Sequence, residues 1–277
     1  MNDAPASELF ERRFGGLRRL YGVDGSQRIF DAHVVVVGIG GVGSWAAEAL
    51  ARSGVRRLTL IDLDHVSESN INRQIHALEP TLGQAKAVAM RERIALFHPA
   101  CVVEVIDEFV TPDNWPALLQ ALPGQVGSPS ALLDACDQVR AKTVLAAWAL
   151  AERVPFVTVG AAGGKRLAQA VEVADLADAT HDPLLAQLRY RLRKQHAGAR
   201  EGRMGVNCVF SREAVAPPDA SCGIAEGDGS LNCHGYGSAV SVTATFGFCA
   251  AGSVMNTLAS GPAKKKGAIQ VTSTMTL

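Results

Sequence analysis

The sequence predicts an α/β fold with a Rossmann-like, doubly wound and mainly parallel sheet and a smaller C-terminal, substrate-facing part. Short, β-branched apolar runs alternate with longer helical patterns, as expected for strands that are covered on both faces. Four of these runs end on a glycine or an aspartate, and such sheets bind ligands beyond the carboxyl ends of their strands. With 277 residues, 48% of them hydrophobic, the chain is long enough for one large core.

The predicted elements follow one another in regular order. A helical preface at 14–30 leads into a first strand at 33–37, which a glycine loop separates from the next helix. The further predictions are helices at 44–52, 84–97, 115–122 and 143–153 and strands at 58–61, 101–106, 131–133 and 156–159. We expect an ATP-binding core over 12–168, a part over 169–258 that completes the sheet and faces the substrate, and a tail over 259–277.

Composition limits the classes of partner. Lysine plus arginine and aspartate plus glutamate number 27 each, so a nucleic acid would have to be held by a local basic patch. Six cysteines without a CxxC pair suit a reducing cytoplasm. The N-terminus has no apolar signal region, and polar residues interrupt the apolar stretch at 239–258. We therefore expect a cytoplasmic protein, no membrane span, and a core role for 239–258.

The glycine loop between the first strand and its helix predicts a nucleotide site. Gly38, Gly40, Gly41 and Gly43 let the backbone approach phosphates, and the following helix presents free N–H groups. Asp62 ends the second strand, where a carboxylate binds a ribose hydroxyl in such folds. These two features alone favour an NAD enzyme over an ATP enzyme.

A polar cluster just beyond the second strand favours ATP instead. Arg73 is suited to forked hydrogen bonds with a phosphate, and Lys86 adds a point charge on the following helix. The cluster also supplies further carboxylate and amide groups, from Asp64, Asn70, Asn72 and Gln74. A single arginine or lysine is most often an ordinary surface residue, so the prediction depends on their joint occurrence.

A second carboxylate position follows the strand at 131–133. Asp134 ends this strand and Asp137 stands three residues later, at the ligand edge of the sheet. Mg²⁺ takes one or two protein carboxylates and fills its other positions with phosphate oxygens and water, so Asp137 is the candidate ligand for Mg²⁺ bound with ATP. The alternative is that either aspartate caps the next helix.

These residues resemble the E1-like (ThiF/MoeB/HesA) superfamily of adenylating enzymes. Its four motifs occur in order: GxGGxG at 38–43, NxNRQ at 70–74, GxxKA at 83–87 and DxxD at 134–137. The resemblance is closer still to the tRNA threonylcarbamoyladenosine dehydratase subgroup. The segments that carry it are RFGG at 13–16, LYG at 20–22, NRQIHAL at 72–78, FVTPDN at 109–114, GAAGG at 160–164, GVNCVFS at 205–211 and VTATFGF at 242–248.

The resemblance implies an ATP-dependent cyclisation of the threonylcarbamoyl group on the adenosine at position 37, beside the tRNA anticodon. A carboxylate would attack ATP and form an acyl-adenylate, and a neighbouring atom would then displace AMP. Asp137, Arg73 and Lys86 would be the catalytic residues. The resemblance also implies a homodimer and a sulfur-transfer partner, namely a cysteine desulfurase with its acceptor protein.

The sequence departs from related carrier-protein activators, which commonly hold zinc with two CxxC pairs, and we expect no structural zinc. An irregular site from Cys208, Cys222, Cys233 and His234 is a remote alternative, and Cys233 is also a candidate reactive thiol. Because Gly15 and Gly16 occupy the usual place of the arginine that reaches a partner's nucleotide, Arg13 or Arg19 is the candidate. We expect His76 and His234 to be structural.

Two other classes remain open at this point. The protein could activate a ubiquitin-like or sulfur-carrier protein by adenylation, or it could be an NAD-linked oxidoreductase or a nucleotide-binding module without chemistry.

Overall fold

A computed structural model describes residues 6–121, 128–217, 219 and 236–261. The strands are β1 (His33–Val37), β2 (Arg57–Ile61), β3 (Val102–Ile106), β4 (Ala131–Asp134), β5 (Phe156–Val159), β6 (Val171–Asp175) and β7 (Asn207–Ser211). The α-helices of the described residues are α1 (Ala6–Phe14), α2 (Gly16–Phe30), α3 (Gly43–Arg52), α4 (Lys86–Phe97), α5 (Ala117–Gln120), α6 (Val139–Glu152), α7 (Pro183–Gln195) and α8 (Val240–Ser260).

The seven strands form one sheet in the order β3-β2-β1-β4-β5-β7-β6. All neighbours are parallel except β6, which runs antiparallel to β7. The predicted mainly parallel α/β fold is thus confirmed. Strand order reverses between β1 and β4, and a crevice opens beyond the carboxyl ends of the strands at such a switch point.

Side chains of β1 alternate between two cores, one on each face of the sheet. Val34 and Val36 belong to the cluster that α2, α3 and α8 cover, whereas Val35 and Val37 belong to the cluster under α6 and α7. Since both faces are buried, the strand is apolar at every position, which is why its sequence has no polar alternation.

Helix α8 packs closely along α3. A side chain at Gly247 would bring its Cβ within 2.6 Å of the Val42 carbonyl oxygen and 2.9 Å of the Trp45 Cβ, so only glycine permits this approach. By length and composition α8 is the one described helix that could cross a membrane. Its contacts with α2, α3 and the sheet match the core role predicted for 239–258.

Most predicted elements are present within a few residues of their predicted bounds. The helix predicted at 115–122 is shorter, because it begins only after Pro116, whose ring lacks a backbone N–H. Residue 122, most of the loop at 124–130, and residues 262–277 of the predicted tail lie outside the described residues. The division of the chain at residue 168 stays a prediction.

Candidate active site

The carboxyl ends of five neighbouring parallel strands, β1 to β5, open into one cavity. Ten of the twelve residues predicted to bind the nucleotide line it: Gly38, Gly40, Gly41, Asp62, Asp64, Asn70, Arg73, Gln74, Lys86 and Asp137. Residues from five separate stretches of sequence therefore meet at the switch point of the sheet.

Two glycines shape the loop at the centre of this cavity. Gly38 has a positive φ of 83°, and a Cβ there would lie 2.8 Å from the backbone carbon of Ala135. A Cβ on Gly43 would lie 1.7 Å from the Gly38 carbonyl oxygen. Gly43 is the first residue of α3, so the free N–H groups and positive dipole of this helix are directed to the loop.

Asp62 ties the end of β2 to the glycine loop. Its Oδ2 accepts a hydrogen bond of 2.5 Å from the Ile39 N–H, and its Oδ1 accepts one of 2.8 Å from the Asp64 N–H. Burial raises the pKa of Asp62 above its ordinary value, although these two N–H groups act in the opposite direction. The carboxylate is fixed at the cavity wall, and its contact with a ribose hydroxyl stays a prediction.

Arg73 and Lys86 supply positive charge to the cavity, and both are almost fully buried. One terminal nitrogen of Arg73 donates to the Ser69 carbonyl at 2.6 Å and to Asn72 Oδ1 at 2.8 Å, but its Nε has no partner among the described residues. Lys86 Nζ lies 2.8 Å from Asp64 Oδ2. A buried, incompletely satisfied guanidinium is suited to an anionic ligand.

Gly43 and Asn72 do not line the cavity, although both were predicted to bind the nucleotide. Gly43 packs under the loop. Asn72 donates to the Ser238 carbonyl at 2.9 Å while it accepts from Arg73. The contacts of these two residues support the neighbouring residues that line the cavity.

Asp134 is engaged in a buried ion pair. Its Oδ2 lies 3.1 Å from Lys142 Nζ and accepts from Thr158 Oγ1 at 2.6 Å, and both charged side chains are fully buried. Lys142 also donates to the Val159 carbonyl at 2.7 Å, which completes its hydrogen bonding. Asp134 is therefore not free to hold a metal.

Asp137 lies on the other side of the same turn. It is exposed, lines the cavity and has no side-chain partner in the described part of the chain. Neither aspartate caps α6, whose N-cap is Gln138. Between them, Cys136 donates its Sγ–H to Asp134 Oδ1 at 3.0 Å, and burial raises the pKa of this thiol well above its usual range. The thiol stays protonated.

The remaining candidates lie away from the cavity or beyond the described residues. Arg13 donates to the Phe97 carbonyl at the end of α4, which precedes the amino end of β3 and is opposite to the cavity. Arg19 is exposed on α2. Within one chain, neither arginine is near the cavity, and their role toward a partner subunit stays a prediction.

Of the residues considered for zinc or thiol chemistry, only Cys208 is described. It is buried in β7 and donates to the Ala174 carbonyl. Cys222, Cys233 and His234 lie outside the described residues. Among the residues that the structure covers, no three His, Cys, Asp or Glu side chains are grouped to hold a metal.

His76 is buried against the glycine loop, and its structural role stays a prediction. Its Nε2 lies 2.8 Å from the Ile39 carbonyl oxygen and donates to it. Burial lowers the pKa of His76 from 6.5 to about 4, and burial also lowers the pKa of His33 to about 4. Both rings are neutral at physiological pH, so His76 is not placed as a charged group in the site.

These two histidines predict a loss of stability in mild acid. The unfolded chain takes up their protons near pH 6.5 but the folded chain only near pH 4, so the stabilisation is complete above pH 6.5 and decreases as the pH falls. The raised pKa of Asp62 acts in the opposite sense. We expect a lower urea midpoint at pH 5 than at pH 7.5 and a smaller difference in His76→Gln. Equal midpoints in the unsubstituted protein would contradict this.

Sequence reasoning missed several lining residues. Glu108, Phe109 and Val110 follow β3, and the turn at 160–163 follows β5, so the rule that ligands bind at strand ends would have found both. Leu184 and Thr243 come from α7 and α8, and no sequence signal relates them to the cavity.

The fold and the cavity together define a nucleotide-binding α/β protein whose cationic groups are arranged around the glycine loop. The sequence profile described as the ThiF family matches residues 13–275. The chain belongs to the ThiF family.

Known proteins are similar to this one in sequence and structure over most of the chain. It is 47% identical to the tRNA threonylcarbamoyladenosine dehydratase of Escherichia coli, over 88% of this chain and 92% of that protein, and 40% identical to that of Haemophilus influenzae, over 90% and 94%. The crystal structure of the Escherichia coli protein in complex with ATP has a TM-score of 0.81 at 44% identity and covers 93% of this chain and 98% of that one. A structure of the same protein with AMP has a TM-score of 0.80.

Proposed function

We propose that the protein is an ATP-dependent tRNA threonylcarbamoyladenosine dehydratase. The observation that carries the proposal is the meeting of the glycine loop, Arg73, Lys86 and Asp137 in one cavity. It occurs in a chain that is 47% identical to a protein with that activity in its name. Crystal structures of that protein hold ATP or AMP, the substrate and one expected product of an adenylating reaction.

The reaction takes place in two substitutions. An oxygen of the substrate carboxylate bonds to the α-phosphorus of ATP, and the bond to pyrophosphate breaks. A neighbouring atom of the same modification then bonds to the activated carbonyl carbon, loses its proton, and AMP leaves. The substrate has lost one water, and its oxygen has passed to AMP. No covalent enzyme intermediate is needed.

The protein contributes position and charge to these steps. The N–H groups at the start of α3 and the Arg73 guanidinium bind phosphate oxygens and stabilise the negative charge that develops on them. When ATP is bound, the Lys86 ammonium group leaves its ion pair with Asp64 and contacts a phosphate. Asp62 holds the ribose at the β2 end of the cavity.

The donor set fits one Mg²⁺ that arrives with ATP. Asp137 offers an exposed carboxylate beside the glycine loop that has no side-chain partner among the described residues, whereas Asp134 is paired with Lys142. One protein carboxylate with phosphate oxygens and water is a common arrangement for Mg²⁺. The ion would lower the repulsion between the attacking carboxylate and the phosphate.

Activation of a carrier protein is the second candidate. Its support is a likeness to molybdopterin-synthase adenylyltransferase of Salmonella typhimurium, at 33% identity, but only over 50% of this chain and 53% of that protein. The dehydratases of Escherichia coli and Haemophilus influenzae match across nearly their full length, and this difference favours the tRNA substrate. The crystal structures of the Escherichia coli protein with ATP and with AMP favour ATP over NAD.

We propose further that the protein is cytoplasmic and acts as a homodimer, and that α8 is a core helix and does not anchor it in a membrane. A cysteine desulfurase with its acceptor protein is proposed as a partner on the family resemblance alone. Light scattering after size exclusion tests the dimer, for which a monomer mass would be the contrary result.

Isotope exchange between pyrophosphate and ATP distinguishes the two candidate substrates. We expect exchange when purified protein, ATP and Mg²⁺ are mixed with threonylcarbamoylated tRNA, and none with the same tRNA lacking the modification. Exchange that requires a carrier protein with a C-terminal glycine, and not tRNA, would refute the proposal.

A further inference from the structure

The cavity has two distinct halves. At one end it is lined by Asp62 after β2 and by Glu108–Val110 after β3. At the other it is lined by the small-residue turn at 160–163 after β5 and by Leu184 of α7. The glycine loop and Asp137 lie between these halves, at the ends of β1 and β4.

The order of these lining residues along the sheet indicates which half of the cavity is left for a second substrate. If Asp62 holds the ribose and the glycine loop the phosphates, ATP occupies the β2–β3 half and the centre. The β4–β5 half is then left for the second substrate, whose carboxylate would attack the α-phosphorus from there. The wall of this half is built from small residues, since Ala161 carries only a methyl group and Gly163 no side chain, whereas Asp182 fills the space beside Gly160.

Two exposed arginines flank this half. Arg140 is two residues beyond the lining residue Gln138, in the first turn of α6, and Arg166 is three residues beyond the lining residue Gly163. At the maximal rise of an extended chain, their Cα atoms lie within about 7 Å and 11 Å of those lining residues. Neither guanidinium has a hydrogen bond or ion pair within the described residues.

The backbone at Arg166 is held firmly. Its N–H and that of Leu167 donate to the Glu213 carboxylate at 2.9 to 3.0 Å. The preceding Lys165 is buried and donates to the Ser211 and Glu213 carbonyls at 3.0 and 2.8 Å. Arg166 therefore has a fixed backbone and a side chain free for a ligand, and its neighbouring carboxylate is already occupied.

The denser run of basic residues on and after α7 lies elsewhere. Only the start of α7 touches the cavity, and thirteen helical residues place its other end about 20 Å away. There Arg189 and Arg193 donate to backbone carbonyls of their own chain, and Arg203 lies near Asp175. The guanidinium groups of Arg189 and Arg193 are therefore engaged within their own chain.

Resting on the function proposed above, we propose that Arg140 and Arg166 bind the tRNA phosphates on either side of the modified nucleoside as it enters the β4–β5 half of the cavity. Arginine binds phosphate oxygens through two parallel N–H groups, and such contacts set the register of an RNA without reading its sequence. The chain as a whole has no net charge to attract RNA, so RNA binding depends on local cations.

The test compares two double variants in binding to fluorescently labelled, threonylcarbamoylated tRNA at several salt concentrations. One is Arg140→Gln with Arg166→Gln. The matched control is Arg153→Gln with Arg200→Gln: Arg153 caps the opposite end of α6, and Arg200 follows α7, both exposed. We expect the first to weaken binding about tenfold or more and to lower the slope of log Kd against log salt by about one to two. ATP binding stays unchanged.

The control variant is expected to keep the Kd and slope of the unsubstituted protein. Unchanged binding in the first variant, equal losses in both, or no tRNA binding by the unsubstituted protein would each overturn the proposal. Turnover by the unsubstituted protein is measured in the same preparation. If the unsubstituted protein binds the tRNA but shows no turnover, the proposed reaction is refuted. The phosphate contacts are still tested in that case, because the binding of the two double variants is compared without turnover.

Discussion

Asp137→Ala is expected to lower kcat for tRNA dehydration by about a thousandfold or more. The side chain is the exposed carboxylate at the centre of the cavity, and the neighbouring Asp134 cannot replace it because Lys142 holds it. Loss of the proposed Mg²⁺ contact would remove several kcal/mol of charge stabilisation, and each 1.4 kcal/mol or so is a factor of ten in rate. The rate of AMP release under saturating ATP and Mg²⁺ measures this loss.

The fold is expected to survive this change. The Asp137 side chain makes no hydrogen bond or ion pair within the described residues, so the free energy of unfolding should change by no more than about 0.5 kcal/mol. Asp178→Ala is a suitable control, since Asp178 is also exposed but does not line the cavity. An Asp137→Ala protein with more than a tenth of the normal rate would remove this residue from the catalytic set.

Lys142→Met is expected to destabilise the fold by about 3–5 kcal/mol, because it leaves the Asp134 carboxylate buried without its positively charged partner. The urea unfolding midpoint at neutral pH measures the loss. Methionine keeps the length of the aliphatic chain, so little of the effect comes from a cavity.

A second substitution separates charge from packing. Adding Asp134→Asn to Lys142→Met removes the buried charge and should restore part of the stability, since the two residues are in contact and their effects are not additive. A loss below about 1 kcal/mol in the single variant would contradict the buried pair. So would a double variant less stable than Lys142→Met.

One predictable part of the site consists of residues at or just beyond strand ends. Gly38, Asp62 and Asp137 follow apolar runs that the sequence identifies as strands, and parallel strands bring their carboxyl ends to one edge. The fold was predictable for the same reason, since β1 is apolar at every position and alternates with helices.

What the sequence did not predict depends on tertiary contacts. Lys142 stands in a helix where a lysine is ordinarily exposed, and only the approach of β4 and β5 creates its partners. Asn72 occurs in a motif with lining residues, yet its amide turns toward the Ser238 carbonyl, which is distant in sequence. Thr243 reaches the cavity only because α8 packs against α3.

We propose that one water is removed from the threonylcarbamoyl group of tRNA in this cavity while ATP is converted to AMP and pyrophosphate. Mass spectrometry of nucleosides from threonylcarbamoylated tRNA, digested under mild conditions after incubation with protein, ATP and Mg²⁺, tests it most directly. The modified adenosine is expected to become lighter by the mass of one water, with one AMP formed for each product, and omission of ATP is expected to prevent the change. A modified adenosine of unaltered mass, under conditions where the protein binds both ATP and the tRNA, would contradict it.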